Sequence, residues 1–313
     1  MLNKSILQDR ALMLKKVRSF FSKKNILEVD TPALSQTASI DQHIEVLKTS
    51  ALKNENAYLH TSPEYGLKRL LAAGSGDIYQ MSHVFRFEEL GPLHNPEFTM
   101  IEWYRETISY QAFLKEVLNL IFLFLDKLPF SRSSYRQIFL KYTNLDPFTV
   151  DASDLYNFSV KNKLALSADA AHWDKDTLLN LIMSHFIEKH LGLKELMVID
   201  EYPASQAALS QIKPVSGFPV AERFEIYYQG IELANGYHEL TNAEEQEKRL
   251  VEANAKRKAD GKEELPIDQK FIAALKKGLK DCYGVAVGFD RLMMLRHKKK
   301  EIKKVITFAF DET

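Results

Sequence analysis

Cysteine is almost missing from this chain. Cys282 is the one residue of its kind among 313, so an intrachain disulfide framework is excluded, which fits a reducing compartment. An excess of either charge is missing too: Lys and Arg total 42, Asp and Glu total 42, and the formal net charge at pH 7 is zero. With no global field to draw a polyanion, nucleic acid is not expected as the main partner. Long apolar runs are absent. The richest, LIFLFL at 120–125, is too short to span a bilayer, and the N-terminal MLNKSILQDR has no signal-peptide core. These absences predict a soluble, cytoplasmic protein with no membrane partner. There is no internal repeat or low-complexity segment; HKKKEIKK at 297–304 reads as a solvated turn. A chain of 313 residues exceeds the usual domain size, yet open sheets with insertions reach it as one catalytic unit.

What is present is organised around residues 78–105, IYQMSHVFRFEELGPLHNPEFTMIEWYR. Two alternating runs flank a loop with Gly91, Pro92, Asn95 and Pro96, the pattern of a long antiparallel hairpin. Period two puts Val84, Arg86 and Glu88 on one face of the first arm and Phe85 and Phe87 on the other. In the second arm Met100, Glu102 and Tyr104 share a face, with Ile101 and Trp103 behind. Such a charged floor is either a site or the wet face of an ordinary sheet.

Around it, residues 5–24 carry Ile6, Leu7, Leu14, Val17, Phe20 and Phe21 at helical spacing, followed by a short strand at 26–29 and Pro32. A strand is predicted at 57–60. In TSPEYGLKRLLAAG, Ser62 suits an N-cap, Pro63 the first helical position and Gly74 the stop. Capping and dipole compensation alone would account for Ser62 and Glu64. Residues 110–128 form an apolar helix, 131–195 a mostly helical insertion in which 177–192 is the clearest piece, and 196–199 a strand leading into YPASQAAL. His172, His185 and His190 lack partners at metal spacing.

The stretch 221–240, AERFEIYYQGIELANGYHEL, predicts two strands turning at Gln229-Gly230. Glu232 and Glu239 are seven residues apart, which strict alternation puts on opposite faces. A bulge at Asn235-Gly236 would restore the phase and aim both at one cavity; alternatively Asn-Gly is itself a tight hairpin turn. Carboxylate oxygens of this kind suit Mg²⁺. Residues 243–258 form a charged helix, expected to be solvated, and 267–279 another. In GVAVGFDRLMML, Gly284, Ala286 and Gly288 face one way while Val285, Val287 and Phe289 fill the core. Asp290 suits the next helix's N-cap, and Arg291 falls in the first turn, where a cation opposes the helix dipole and suggests a nearby anion.

FRFEE, a loop and HNPEFTMIEWY resemble motif 2 of the class II aminoacyl-tRNA synthetases, in particular the lysyl branch. FFSKKNILEVDTPALS resembles motif 1, which forms the dimer interface, and GVAVGFDRLMML resembles motif 3. The resemblance implies an α+β fold with an antiparallel sheet flanked by helices, a single catalytic domain over 1–313, a homodimer, and activation of an amino acid by ATP with Mg²⁺. Catalysis would fall to Arg86, Glu232 and Arg291. The nucleotide would lie against Arg86, Phe87, Glu88, Asn95, Glu232, Leu233, Gly288 and Arg291. The amino acid would be held by Ser62, Glu64, Glu102, Tyr104, Asn235, Glu239 and Ala286, and the metal by Glu232 and Glu239.

Within the family the likeness is to truncated lysyl-tRNA synthetase paralogues, which activate (R)-β-lysine and transfer it to the ε-amino group of a lysine on elongation factor P. Three features point there. No anticodon-binding domain fits before motif 1, the loop reads PASQ where tRNA synthetases usually carry an acid, and Ala286 stands where they usually have glycine. One methyl in the amino-acid pocket is worth about 1–3 kcal/mol of discrimination, enough to help separate α- from β-amino acids. A tRNA is then an unlikely acceptor; the alternative is a minimal lysyl-type ligase charging tRNA or another acceptor with α-lysine. Phe87, for the usual asparagine, and Lys280, for the usual proline, depart from the pattern; Phe87 is expected to pack on the face opposite Arg86.

Overall fold

The computed structural model describes residues 3–53 and 55–313. In chain order the elements are α1 (Lys4–Ser22), β1 (Leu27–Glu28), β2 (Leu34–Ser35), β3 (Lys48–Leu52), β4 (Glu55–Leu59), α2 (Glu64–Ala72), β5 (Ile78–Phe85), β6 (Glu97–Glu106) and α3 (Tyr110–Ile121). Then come β7 (Phe130–Ser134), α4 (Tyr135–Thr143), α5 (Ala152–Lys161), α6 (Lys175–Ile182), β8 (Leu196–Pro203), β9 (Ile212–Val215), β10 (Phe218–Tyr228) and β11 (Ile231–His238). The chain closes with α7 (Ala243–Ala259), α8 (Gln269–Lys277), β12 (Cys282–Gly288) and α9 (Phe289–Arg296). Two compact units result, Met1–Lys127 with His238–Thr313, and Leu128–Tyr237. No helix among the described residues is long and apolar enough to cross a membrane.

In the first unit the strand order is β1-β5-β6-β12, parallel at β1–β5 and antiparallel elsewhere. The predicted hairpin is there: β5 and β6 pair from Ile78–Tyr104 to Phe85–Glu97. Both of its faces are covered, so Glu102 is buried beside Trp103 and Tyr104 rather than wet. Alternation does not continue past Phe85 as expected. Arg86 lies beyond the strand and Glu88 adopts φ +60°, so Phe87 is exposed instead of packing behind the sheet. A second, three-stranded sheet, β2-β4-β3, stands beside the start of α2. Helix α1 buries Ile6, Met13, Val17 and Phe21, while Leu7 of the predicted stripe is exposed.

Two expected caps are corrected. Pro63 occupies the N-cap position of α2 without a side-chain bond, although Ser62 Oγ still takes the Glu64 N–H at 3.0 Å. Asp290 lies inside α9 rather than at its cap, buried and paired with Arg10, and it accepts the Thr99 N–H at 2.6 Å. The helix predicted to be solvated, α7, is anchored by Arg257, which is buried and grips Glu45 at 3.0 Å.

The second unit orders its strands β11-β10-β8-β7, with β9 added to β10. Its core gathers Tyr135, Phe139, Leu178, Ile187 and Tyr227. β7 was hidden in the expected helical insertion because its five residues, FSRSS, carry no apolar alternation. The single helix expected at 177–192 is broken into α6, a π turn at Met183–Ile187 and a 3₁₀ turn ending near Gly192. The β10–β11 turn falls at Gln229-Gly230, both at positive φ, as a tight hairpin needs. The bulge is displaced from the predicted Asn235-Gly236: the register slips at Leu233, where Tyr227 pairs with Glu232 and Ile226 with Ala234. The effect on phase survives, since the extra residue turns Glu232 to the face of Asn235 and Tyr237.

Candidate active site

On β6 the face that carries Phe98, Met100, Glu102 and Tyr104 is flanked by β12, which sets Gly288, Ala286 and Gly284 opposite the last three. Small residues on β12 leave room above this face. Gly284 is essential to it: a Cβ there would lie 2.2 Å from Glu239 Oε1 and 2.3 Å from Tyr104 Cε1. Here the structure brings together Ser62, Glu64, Glu102, Tyr104, Glu239 and Ala286 of the expected substrate residues.

Ser62 Oγ donates to Glu102 Oε2 at 2.6 Å, and Tyr104 Oη donates to Glu102 Oε1 at 2.7 Å. Lys68, one helical turn after Glu64, sends its ammonium to Glu64 Oε1 and to Glu239 Oε2, each at 2.6 Å. Burial pushes the Glu102 carboxyl up to about 7, helped by the charge of Glu64. Burial likewise raises Glu239 to about 8, against the pull of Lys68 and with like charges from Glu64 and Glu102 adding to it. Two buried acids and a partly exposed third, crowded around one cation, make a receptor for further cations.

The other end of the same face is cationic. The Arg86 guanidinium lies over Phe98, 5.1 Å from the ring centroid, which places it on the face of Glu102. Phe98 and Glu102 are four residues apart, about 13 Å along a strand. Arg86 Nε is buried without a partner, and the nearby Glu89 is 3.6 Å from Nη1. An orphaned guanidinium N–H of this kind fits an absent oxyanion such as a phosphate. Arg291 folds over Gly288 and donates to His94 Nε2 at 2.9 Å. Burial lowers the His94 pKa, and Arg291 and Arg86 lower it further, so the ring is a neutral acceptor between two cations.

The remaining residues play other parts. Asn95 is committed structurally, donating to the Glu97 carbonyl at 2.7 Å and accepting the Phe310 N–H at 3.0 Å. Glu88 and Phe87 are exposed on the loop. Glu232, Leu233 and Asn235 belong to the second unit, where Leu233 is buried. There Arg223 donates to Asn235 Oδ1 at 3.2 Å and to the Gln206 carbonyl at 3.1 Å, tying the PASQ turn to β11. Tyr202 donates to Glu225 Oε2 at 2.6 Å, and Glu225 pairs with Arg223. Among the described residues no three His, Cys, Asp or Glu side chains group to hold a metal.

Comparison with known proteins now bears on the site. The family model described as tRNA synthetases class II (D, K and N) matches residues 2–312. The chain belongs to that family. Among its relatives, an elongation factor P–(R)-beta-lysine ligase of Salmonella typhi is 44% identical over 310 residues, covering 97% of this chain and 95% of the relative. A protein of the same name from Hamiltonella defensa is 44% identical over 312 residues, covering 98% and 95%.

The acidic end of this face carries a pH signature. A diammonium ligand needs Glu102 and Glu239 ionised, yet empty they hold protons up to about 7 and about 8. Affinity for a diamine should therefore rise at least about ten-fold from pH 6 to pH 8, one pKa unit being about 1.4 kcal/mol. The empty protein should behave oppositely. Both groups bind protons more tightly folded than at their ordinary 4.5, so folding stability falls as pH rises from about 4.5 to about 8. Melting at pH 5.5 and 8.5 with and without lysine tests both signs. A fall in melting temperature for the empty protein that saturating lysine reverses is the expected result; identical pH profiles would refute it.

Lys68 and His94 were not singled out in the sequence. The Glu64-to-Lys68 spacing of four on a helix was a signal, but it reads as a surface pair until burial is known.

Proposed function

We propose that this chain activates (R)-β-lysine with ATP as an aminoacyl-adenylate and transfers it to the ε-amino group of a lysine on elongation factor P. The observation that carries this reading is the polarity of one face, with the buried acids Glu102 and Glu239 and the partly exposed Glu64 at one end and two arginines at the other. A lysine isomer matches it, with ammonium groups for Glu64, Glu102 and Glu239 and a carboxylate directed toward Arg86.

In the first step a carboxylate oxygen attacks the α-phosphorus, a new O–P bond forms and pyrophosphate leaves. Arg86 supplies an N–H and a charge where negative charge builds on the α-phosphate, and Arg291 meets the distal phosphates. This is positioning with electrostatic stabilisation and needs no protein nucleophile. Mg²⁺, which the family resemblance implies, would when bound neutralise the polyphosphate and polarise the leaving group. In the second step the neutral acceptor amine attacks the acyl carbon, an amide forms, and AMP leaves as the amine gives up a proton. Ala286, opposite Glu102, would shape the pocket against the α-isomer. The segment resembling motif 1 is proposed to form a homodimer, consistent with exposed Leu12, Leu27 and Leu34.

ATP–pyrophosphate exchange with (R)-β-lysine and α-lysine, followed by transfer to elongation factor P or to tRNA, tests the assignment. Exchange driven best by (R)-β-lysine and label on the protein acceptor are expected. Preference for α-lysine with label on tRNA would replace the reading by a minimal tRNA-charging ligase, and no exchange with any amino acid would remove the activity altogether.

A further inference from the structure

The side chain of Lys68 is fully buried, and its ammonium is shared between Glu64 and Glu239 at 2.6 Å to each. Burial by itself would strip such a lysine of its proton. Here burial is outweighed by Glu239 and Glu64, which raise its pKa above the ordinary value, so the charge is permanent. Glu102, in contrast, is met by two hydroxyls, from Ser62 and Tyr104, and these carry no charge. With all three acids ionised, three negative charges less one positive leave two.

We propose that Lys68 is the charge-setting, positioning residue of the amine pocket: a built-in ammonium that holds Glu64 and Glu239 on either side of itself and fixes the pocket's demand at two further ammonium groups. The inference rests on the amine-pocket reading given above and deepens it. Above about pH 8, where Glu102 and Glu239 are ionised, a monoamine would leave one buried carboxylate uncompensated or force it to take a proton, and the site rejects it for that reason. Lys68 touches the acids rather than the reacting atoms, so its influence falls on which substrate binds and at what pH, with the chemistry at Arg86 left alone.

The test is epistasis in direct binding, measured by calorimetry without ATP above about pH 8, where Glu102 and Glu239 are ionised. The ligands are lysine and norleucine, which differ by the terminal amine, and the proteins are wild type, Lys68→Met, Glu64→Gln and Lys68→Met/Glu64→Gln. Wild type should prefer lysine by at least about 100-fold. Glu64→Gln, with Lys68 still neutralising Glu239, leaves one net negative charge and should lose at least about ten-fold of that preference. The double variant, though it has lost a second site residue, returns to two net negative charges and should bind lysine at least about ten-fold more tightly than Glu64→Gln. Lys68→Met alone leaves three acids with no internal cation, so its lysine affinity should fall off at a pH at least one unit higher than in wild type.

A purely structural Lys68 predicts the reverse, with the double variant equal to or worse than Glu64→Gln. Breaking one partner of a buried pair destabilises far more than removing both, so the double variant remains informative where Lys68→Met does not fold. A double variant that fails to fold while Glu64→Gln folds would assign Lys68 to the fold and overturn the proposal, as would wild type binding norleucine as well as lysine. Failure of the proposed activity appears separately, as absence of pyrophosphate exchange in a wild type that still discriminates diamines.

Discussion

Arg86→Ala should lower ATP-dependent activation about 1,000-fold or more while leaving the melting temperature unchanged or slightly raised. The two halves of this expectation have one origin. Arg86 Nε is buried without a partner, and the side chain's contacts are a ring face at 5.1 Å and a loose pair with Glu89 at 3.6 Å. A guanidinium held in this way contributes little to the fold, and an orphaned buried N–H costs stability. Removing one preorganised donor from a developing oxyanion costs about 100- to 1,000-fold, and here a full charge goes with it. Arg86→Lys should recover less than a tenth of the loss, because a point ammonium cannot reproduce the Nε–H and the planar fork. Pyrophosphate exchange and thermal melting measured together decide it. A variant that keeps activity within ten-fold, or that melts far below wild type, would show Arg86 to be structural.

Gly284→Ala should raise the KM for the amino acid about 100-fold with little change in the KM for ATP. The added Cβ would sit 2.2 Å from Glu239 Oε1 and 2.3 Å from Tyr104 Cε1, where an ordinary contact needs more than 3.4 Å. Neither neighbour is free to retreat. Tyr104 is buried and donates to Glu102, and Glu239 is buried against Lys68. Displacement of either by about 1 Å misplaces the whole acid cluster, and a shift of that size costs about 100-fold where positioning matters. Overpacking should also cost about 1–3 kcal/mol of stability. The arginine end, away from Gly284 along the strand, is untouched. If the KM values for ATP and amino acid rise together, the effect is general unfolding rather than loss of the amine pocket.

The elements whose periodicity is local were legible in the chain itself. The hairpin around Asn95 showed in its alternation and turn residues, α2 in its length and stop at Gly74, and the β10–β11 turn in Gln229-Gly230. Their errors share a cause. Phe87 was assigned by counting in twos past Phe85, where the strand ends and the chain enters a turn, and the bulge was placed at the glycine when the register slips at Leu233. Asp290 satisfies every local rule for a cap, yet burial and a pairing with Arg10 claim it instead.

The order of charged and small residues along the strands, by itself, determined that Glu102 and Ala286 can face one cleft, and the motif order determined the family. Only tertiary structure decided what surrounds them. Alternation is a short-range rule of covalent geometry, whereas the burial of Lys68 against Glu239 and the contact of Tyr104 with Gly284 depend on segments distant in the chain being packed together. The same side chains would be ordinary solvated charges on an exposed surface. Exclusion of water by that packing raises the pKa values of Glu102 and Glu239 and turns a set of acids into a candidate site.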